Sequence, residues 1–348
     1  MTDTDRPTQP AHWADVHAAL AGLPGADHEA VAAAQARQET LTKPPGSLGR
    51  LESLACWLAG WPGSGAACDD AGRALIFAGN HGVCARGVSP YPTDVTGQMV
   101  ANFEAGGAAI NALSRWAGAP LRVIPLDLDR PTADLSTAAA MTADEGLAAF
   151  RTGMAAVPGN ARLLVLGEMG IGNTTAAAAL SGALFGGPAA QWTGPGTGLD
   201  PDGVARKAAV IEQAWAHHGV AGRDPFDLLC RLGGRELAAI AGAILSARYR
   251  RLPVILDGFV ATAAAAPLAV ARSGALDHCL AGHVSAEPGH ARLLAHLSLE
   301  PLLSLQMRLG EGSGAILALG IVQAAWACHS GMATFGEAGI SDRPGAGS

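Results

Sequence analysis

The sequence predicts an α/β fold in which a doubly wound, mostly parallel sheet of the Rossmann-like type lies beside a small helical subdomain. From residue 73 onward, short apolar runs alternate with alanine-rich segments of helical length, which is typical of βαβ units. The apolar runs are continuous rather than alternating, as expected for strands covered by helices on both faces. A chain of 348 residues is also long enough to bury the core that such a sheet requires.

Each strand candidate is an apolar run, and most of the candidates are followed by a polar or glycine-rich turn. In chain order they span residues 74–79, 121–128, 162–167, 252–259, 278–285 and 302–310. Ligands of open α/β sheets bind beyond the carboxyl ends of the strands. We therefore expect the turns that follow these strands to converge on one crevice.

The N-terminal part of the chain has a different pattern. Residues 11–60 contain no strand-like run and predict a helix, a loop at residues 42–47 and another helix. We expect them to form the small helical subdomain together with the last helical stretch, residues 313–328. This predicts an N-terminal helical segment, an α/β domain that carries the active site, and a C-terminal tail, with ranges 1–66, 67–330 and 331–348.

Composition and charge argue against several classes of partner. With 30 acidic and 23 basic residues the net charge is −7, which disfavours nucleic acid because phosphate contacts need clustered Lys and Arg. The polar start lacks both regions of a secretory signal, and we find no run of about 18 uncharged apolar residues that predicts a membrane span. The six scattered cysteines form no C-x-x-C pair and predict buried thiols. We expect a cytoplasmic protein that acts on a small molecule.

The stretch GEMGIGNTT, residues 167–175, is a candidate phosphate site. Gly170 and Gly172 free the backbone to approach an anion, and Asn173 or Thr174 can cap the alanine-rich helix that follows. A tight turn with a good helix cap explains the same residues without any ligand. The stretch matches neither standard nucleotide-binding motif.

Other candidate ligand groups have simple structural alternatives. Lys207 lies in the first two turns of a predicted helix and can reach an anion, although most helix lysines are solvated. His283, Glu287 and His290 are metal-ligand types, but Pro288 is expected to break the helix that would bring them together. Asp69 and Asp70 follow glycine-rich sequence rather than a strand, which indicates a loop or a helix start. We predict no metal site.

Two glutamates share one local sequence, Leu-Gly-Glu-x-Gly, and each is predicted to follow a strand. They are Glu168 and Glu311, the latter within RLGEGSGAILALG, residues 308–320. That stretch has the strand, glycine turn and helix of a phosphate cradle, yet a carboxylate would repel phosphate. Each glutamate alone is explained by solvation or by a favourable charge at a helix N-terminus. Together they indicate acid/base or hydroxyl-binding chemistry in one crevice.

The chain resembles the nicotinate-nucleotide:dimethylbenzimidazole phosphoribosyltransferase family in a series of motifs that covers nearly its whole length in order. They lie at residues 41–52, 77–83, 87–96, 102–111, 167–175, 193–199, 232–236, 256–259, 283–290 and 308–315. Two positions depart from the family pattern, because Asn80 replaces an expected Asp and Thr93 an expected Gln. The loop that carries them is therefore expected to contact the acceptor base differently.

The resemblance implies transfer of phosphoribose from nicotinate mononucleotide to 5,6-dimethylbenzimidazole, with inversion at C1′, in a homodimer that needs no cofactor. It implies that Glu311 is the general base and that Glu168 acts with it. The residues expected around the phosphate and nucleotide are Gly170, Gly172, Asn173, Thr174, Lys207 and Ser285. Those expected around the base are Asn80, Tyr91, Thr93, Met169 and Leu309.

Two other functions use the same glycine-rich turn. A non-catalytic nucleotide-binding regulator needs the phosphate turn but has no use for two crevice carboxylates. A nucleoside phosphate hydrolase or kinase needs Mg²⁺ ligands and a lysine within the turn, and the stretch has neither. Release of nicotinate from the mononucleotide discriminates the transferase from these alternatives.

Overall fold

The computed structural model describes residues 9–61 and 72–341. Within these ranges the strands are β1 (Arg73–Ala78), β2 (Leu121–Pro125), β3 (Leu164–Met169), β4 (Val254–Leu256), β5 (Cys279–His283) and β6 (Pro301–Leu303). They form one sheet in the order β2-β1-β3-β4-β5-β6, and every pairing is parallel. The predicted α/β class is confirmed.

The helices alternate with these strands as the alanine-rich segments predicted. They are α1 (Trp13–Ala21), α2 (His28–Thr40), α3 (Arg50–Ala59), α4 (Asp94–Ala105), α5 (Ala109–Ala117), α6 (Ala143–Ala156), α7 (Asn173–Phe185), α8 (Pro201–His218), α9 (Pro225–Leu232), α10 (Arg235–Tyr249), α11 (Phe259–Ala271), α12 (Pro288–Leu297), α13 (Ser313–Gly331) and α14 (Phe335–Ala338). Short 3-10 turns lie at Gly82–Arg86 and Ala189–Gln191.

Helices cover both faces of the sheet, which makes it doubly wound. In β1, Leu75 and Phe77 point into a core shared with α6, α7, α10 and α11. Ala74 and Ile76 point to the opposite face, into a core shared with α3, α5 and α13. Since successive residues of a strand face opposite sides, both sides of this strand must be apolar, and its run is continuous for that reason.

The strand order changes direction between β1 and β3, because β2 lies on one side of β1 and the later strands lie on the other. In open α/β sheets such a switch point leaves a crevice at the carboxyl ends of the two strands. Of the two strands at this switch point, β3 is the one whose end lines a cleft among the described residues.

The last predicted strand is wrong over most of its length. The prediction covered residues 302–310, whereas β6 ends at Leu303. Its later apolar residues, Leu305 and Leu309, are exposed, and Gln306 has a φ of +58°, which an extended strand cannot adopt. Glu311 therefore follows a loop rather than a strand.

The N-terminal helices pack against the C-terminal one. Nε of Arg37 in α2 donates to the carbonyl of His329 at 2.8 Å, and a β-bridge joins Leu41 to Thr334. The boundary predicted between residues 66 and 67 lies outside the described residues, as do Asp69, Asp70 and parts of both termini. The division into three ranges stays a prediction.

Helix α13 is long and apolar enough to be compared with a membrane span, although the sequence predicted none. By length and composition it is the one helix of the described ranges, 9–61 and 72–341, that could cross a membrane. Its sequence contains no Asp, Glu, Lys or Arg. In this fold its buried side, which includes Ile316, Leu319 and Val322, packs against β3, β4 and β5. Burial against the sheet covers 44% of its most apolar stretch.

Helices α6 and α10 approach each other closely, and this contact generates a test of the fold. A Cβ on Gly153 of α6 would collide with the Ala239 carbonyl of α10. We expect Gly153→Ala to lower the free energy of unfolding by about 1–3 kcal/mol, because overpacking outweighs the better helix propensity of alanine. Urea unfolding measures the difference.

Gly97 in α4 provides the matched control. A Cβ there meets nothing within 4 Å, so Gly97→Ala should be neutral or stabilise the protein by about 0.5–1 kcal/mol. Equal stability of Gly153→Ala and the wild type would contradict the close packing of α6 on α10.

Candidate active site

A cleft opens at the carboxyl ends of the strands, beside the switch point. Its walls come from the end of β3, the start of α7, the loop before α8, the start of α11, the end of β5 with the loop that follows it, and the loop before α13. Among the predicted site residues, the structure brings these together as cleft lining: Glu168, Met169, Gly170, Asn173, Thr174, Ser285 and Leu309. The predicted convergence of turns is thus observed for these segments.

Glu168 is the fifth residue of β3 and is almost completely buried. The side-chain amide of Asn173 donates to its Oε2. Burial raises the pKa of Glu168 well above its usual value, and the charges of Asp257, Glu236 and Glu311 raise the pKa further. The environment of Glu168 therefore favours the protonated carboxylic acid.

Glu311 lies in the turn that leads into α13, with a φ of +63°. Its side chain is buried, and Oε2 has no hydrogen-bond partner among the described residues. Burial, followed by the charge of Asp257, raises the pKa of Glu311 to about 7. A carboxylate with such a pKa can accept and release a proton near neutral pH.

The sequence around the N-terminus of α13 resembles a phosphate cradle. In the structure this N-terminus already binds a carboxylate of the chain itself. Asp257, which follows β4, accepts hydrogen bonds from the backbone N–H groups of Gly312 at 3.0 Å, Gly314 at 2.8 Å and Ala315 at 2.9 Å. A Cβ on Gly167 would collide with the Gly312 nitrogen, so glycine is needed where β3 passes this turn. The N–H groups that could bind an anion here are thus already bonded to Asp257, and Glu311 lies directly before the first of them.

The N-terminus of α7 differs from its prediction in how it is capped. The cap residue is Gly172, which has a φ of +91° and no side chain to offer, so the prediction of an Asn173 or Thr174 cap is wrong. Their side chains instead extend sideways, Asn173 to Glu168 and Thr174 to Lys207. The cap position has no competing side chain, and the positive end of the helix faces the cleft.

Lys207 of α8 lies behind this turn and is 1 % exposed, so the interpretation of a solvated lysine is wrong. Its Nζ donates to Thr174 Oγ1 at 2.8 Å and to the Gly194 carbonyl at 3.3 Å. Burial lowers the pKa of Lys207 to about 8, while the charge of Glu287 acts in the opposite direction. A buried ammonium group without a close anion is a favourable partner for phosphate.

The HVSAEPGH segment packs into the wall of the cleft through its own hydrogen bonds. Nδ1 of His290 accepts from the Ser285 backbone N–H at 2.9 Å, and Ser285 Oγ accepts from the Glu287 N–H at 3.2 Å. Pro288 begins α12 rather than breaking a helix, which corrects the reason given for doubting a metal. Over residues 9–61 and 72–341 no group of three or more His, Cys, Asp or Glu side chains could hold a metal ion.

The residues expected around the base are divided between the cleft and its surroundings. Met169 and Leu309 line the cleft. Asn80 is buried and donates to the Leu128 carbonyl at 3.0 Å, while Thr93 precedes α4. Tyr91 is exposed, in a loop whose Ser89 hydroxyl lies 3.2 Å from that of Thr197 in the cleft wall. A role for these residues in binding the base stays a prediction.

Sequence reasoning assigned no role to two further carboxylates beside the site. Glu236 pairs with His81, with 2.5 Å between its Oε1 and the histidine Nε2, and both side chains are fully buried. Asp257 holds α13 as described above. Both lie within the motifs that carry the family resemblance. Asp257 also lies inside the predicted strand 252–259, where an acidic residue in a continuous apolar run is a signal because it must be buried with a partner.

Comparison with known proteins defines the class of enzyme. A family model described as "Phosphoribosyltransferase" matches residues 23–340, so the chain belongs to the phosphoribosyltransferase class of enzymes. The alternatives of a non-catalytic regulator, a kinase or a hydrolase find no support in this match.

The individual relatives are more specific. Nicotinate-nucleotide–dimethylbenzimidazole phosphoribosyltransferase of Novosphingobium aromaticivorans is 60% identical over 95% of this chain and 98% of its own. The protein of that name in Methylorubrum extorquens is 54% identical over 94% and 96%. A solved structure of the enzyme of that name from Thermus thermophilus has a TM-score of 0.82 and 40% identity, and covers 91% of this chain and 99% of that one. The chain belongs to this family, and the resemblance seen in the motifs is confirmed.

Proposed function

We propose that this chain transfers the 5-phosphoribosyl group of nicotinate mononucleotide to 5,6-dimethylbenzimidazole, giving α-ribazole 5′-phosphate and nicotinate. The names of its relatives support these substrates. The observation that carries the chemistry is Glu311, a buried glutamate with a partner-free oxygen among the described residues and a pKa of about 7. A mass-spectrometric assay for both products tests the proposal directly.

Glu311 is the general base in this proposal. The incoming benzimidazole must lose its N–H proton as its other nitrogen attacks C1′ of the ribose, and a carboxylate can accept that proton. The nicotinate ring leaves as a neutral pyridine, so no acid has to protonate the leaving nitrogen. Attack opposite the leaving group inverts C1′ and converts a β-nucleotide into an α-nucleotide.

Glu168 has a different role, although its local sequence is the same. Because its surroundings favour the neutral acid, it is suited to donate a hydrogen bond to the ribose or to the base. Environments that separate the pKa values of two carboxyl groups commonly assign them different roles in catalysis. We therefore assign positioning to Glu168 and proton acceptance to Glu311.

We assign the phosphate and the acceptor base to two different groups of residues in and around the cleft. The α7 N-terminus and Lys207 supply the positive end, and we assign the phosphate there, with Gly170, Gly172, Asn173, Thr174 and Ser285 around it. The apolar side chains of Met169 and Leu309 suit a neutral aromatic ring, and we assign the base to them together with Asn80, Tyr91 and Thr93. The reaction needs no metal because it expels no diphosphate, and it needs no cofactor.

Glu311→Gln is the first test of this mechanism. Glutamine keeps the shape but cannot accept the proton, so we expect kcat to fall by about 10²–10⁴, the share of a general base. In the wild type, kcat should rise with pH through about 7, where the Glu311 carboxyl loses its proton. Steady-state kinetics from pH 5 to 9 measure both.

Glu168→Gln is the matched variant, because it alters the other carboxyl group of the proposed mechanism, which lines the cleft directly. Glutamine retains a hydrogen-bond donor, so the loss in kcat should be smaller and the rise with pH should persist. Near-normal turnover of Glu311→Gln together with a large loss in Glu168→Gln would show that the two roles are reversed.

Lys207→Ala tests the phosphate assignment. We expect a higher KM for nicotinate mononucleotide, by the equivalent of about 1.5–3 kcal/mol for a charge-assisted contact, and little change in the KM of the base. Arg206→Ala is the control, because it removes one exposed positive charge from the next position of α8. Equal effects of Lys207→Ala on both substrates would contradict the assignment.

We also propose that the chain acts as a homodimer. The exposed apolar side chains of Tyr91, Leu305 and Leu309 lie on loops that border the cleft, and a second copy would bury them. Sedimentation should give about twice the 35.0 kDa chain mass. Leu305→Asp should weaken the dimer, whereas Val270→Asp, an exposed position at the far end of α11, should not. A fully active monomer would refute this proposal.

A further inference from the structure

Asp257 is buried beside the proposed base and none of the assigned roles uses it. Its side chain is 1 % exposed. The three N–H groups that it accepts belong to the first turn of α13, where the helix dipole also favours a negative charge. His283 Nε2 lies 3.5 Å from its Oδ1. Asp257 therefore fixes the start of α13 through a connection from β4.

The same bonds control the backbone of the residue that we propose as base. Glu311 directly precedes Gly312, the first of the three donors. A non-glycine residue at a φ of +63° is in the left-handed region, which brings its Cβ too close to the following carbonyl oxygen. Such a conformation persists only where surrounding contacts determine it, and the hydrogen bond from Gly312 to Asp257 is one that acts immediately next to it.

The charge of Asp257 also affects the ionisation of Glu311. The ionisable groups in this part of the site are Glu311 from the turn, His283 from β5, Glu168 from β3 and, through its charge on Glu168, Glu236 from α10. A negative charge on Asp257 disfavours the ionised form of Glu311, in the same direction as burial does. Removal of that charge should leave only burial to oppose ionisation.

We infer that Asp257 is a positioning residue of the proposed transfer: its carboxylate binds the N-terminus of α13, holds the turn of Glu311 in its left-handed conformation and sets the charge environment of that glutamate. The inference rests on the proposed function for the reaction that the turn serves. The contacts that carry it do not depend on the identity of the substrates.

Asp257→Asn tests this inference with little change in shape. We expect kcat to fall by about 10–100-fold, because a displaced base loses its alignment with the substrate, while the KM for nicotinate mononucleotide changes little. The rise of kcat with pH should also move to lower pH, by about one unit or more, because a like charge near Glu311 is lost. A purely structural role would lower the active fraction without moving the pH profile.

Asp224→Asn is the matched control. Asp224 caps α9 by accepting from the N–H groups of Phe226 at 2.9 Å and Asp227 at 3.1 Å, and α9 does not line the cleft. This variant makes the same change at a helix N-terminus outside the cleft: it removes one negative charge, and the amide oxygen can still accept both hydrogen bonds. The pH profile should therefore stay as in the wild type. Movement of the profile in Asp224→Asn as well would overturn the inference.

A titration without substrate separates this inference from the proposed function. The carboxyl band of Glu311, assigned in infrared difference spectra by its loss in Glu311→Gln, should titrate near pH 7 in the wild type and lower in Asp257→Asn. Asp257→Ser, which keeps a capping oxygen, gives the second variant if the first is unstable. An unchanged titration in a folded variant would overturn the role of Asp257. A shifted titration in an enzyme that releases no nicotinate would overturn only the proposed function.

Discussion

Burial of four carboxyl groups at one edge of the sheet is the constraint on which the rest of this site depends. Buried charges are unfavourable unless a partner or a proton compensates them. Asp257 has the N–H groups of α13, Glu236 has His81, and Glu168 has an asparagine amide and an environment that favours its protonated form. Glu311 Oε2 has no hydrogen-bond partner among the described residues, as is also true of Glu236 Oε2. Glu311 differs from its neighbours in a pKa of about 7, which suits proton exchange.

This constraint explains the glycines of the site better than phosphate binding alone does. A Cβ on Gly79 would collide with the Glu236 carboxylate, and one on Gly310 would come within 2.5 Å of Glu168 Oε1. The glycine-rich turns therefore make room for the chain's own carboxylates. The phosphate, in our proposal, belongs at the α7 N-terminus, where a glycine cap contributes no competing side chain.

The parts of the fold that the sequence predicted are those in which local pattern and burial agree. Continuous apolar runs predicted β1, β3, β4 and β5 because both faces of those strands are covered, and they also predicted the edge strand β2, which is partly exposed. The prediction failed for residues 304–310, where Leu305 and Leu309 are apolar but exposed, so hydropathy no longer reports burial. The predicted cap of α7 was wrong because of a tertiary contact: the side-chain amide of Asn173 donates to Glu168 instead of capping the helix. Within the site, Asp257 received no role because its partners are 55 to 58 residues away in sequence.

The two glutamates show how one local sequence gives two chemical roles. Both occur as Leu-Gly-Glu-x-Gly, but Glu168 belongs to an extended strand and Glu311 to a left-handed turn. The strand position places Glu168 among the other three carboxyl groups, which all raise its pKa. The turn position leaves Glu311 less crowded, with a pKa of about 7. The backbone conformation, rather than the motif, therefore separates the carboxyl group that favours retaining its proton from the one that can exchange it.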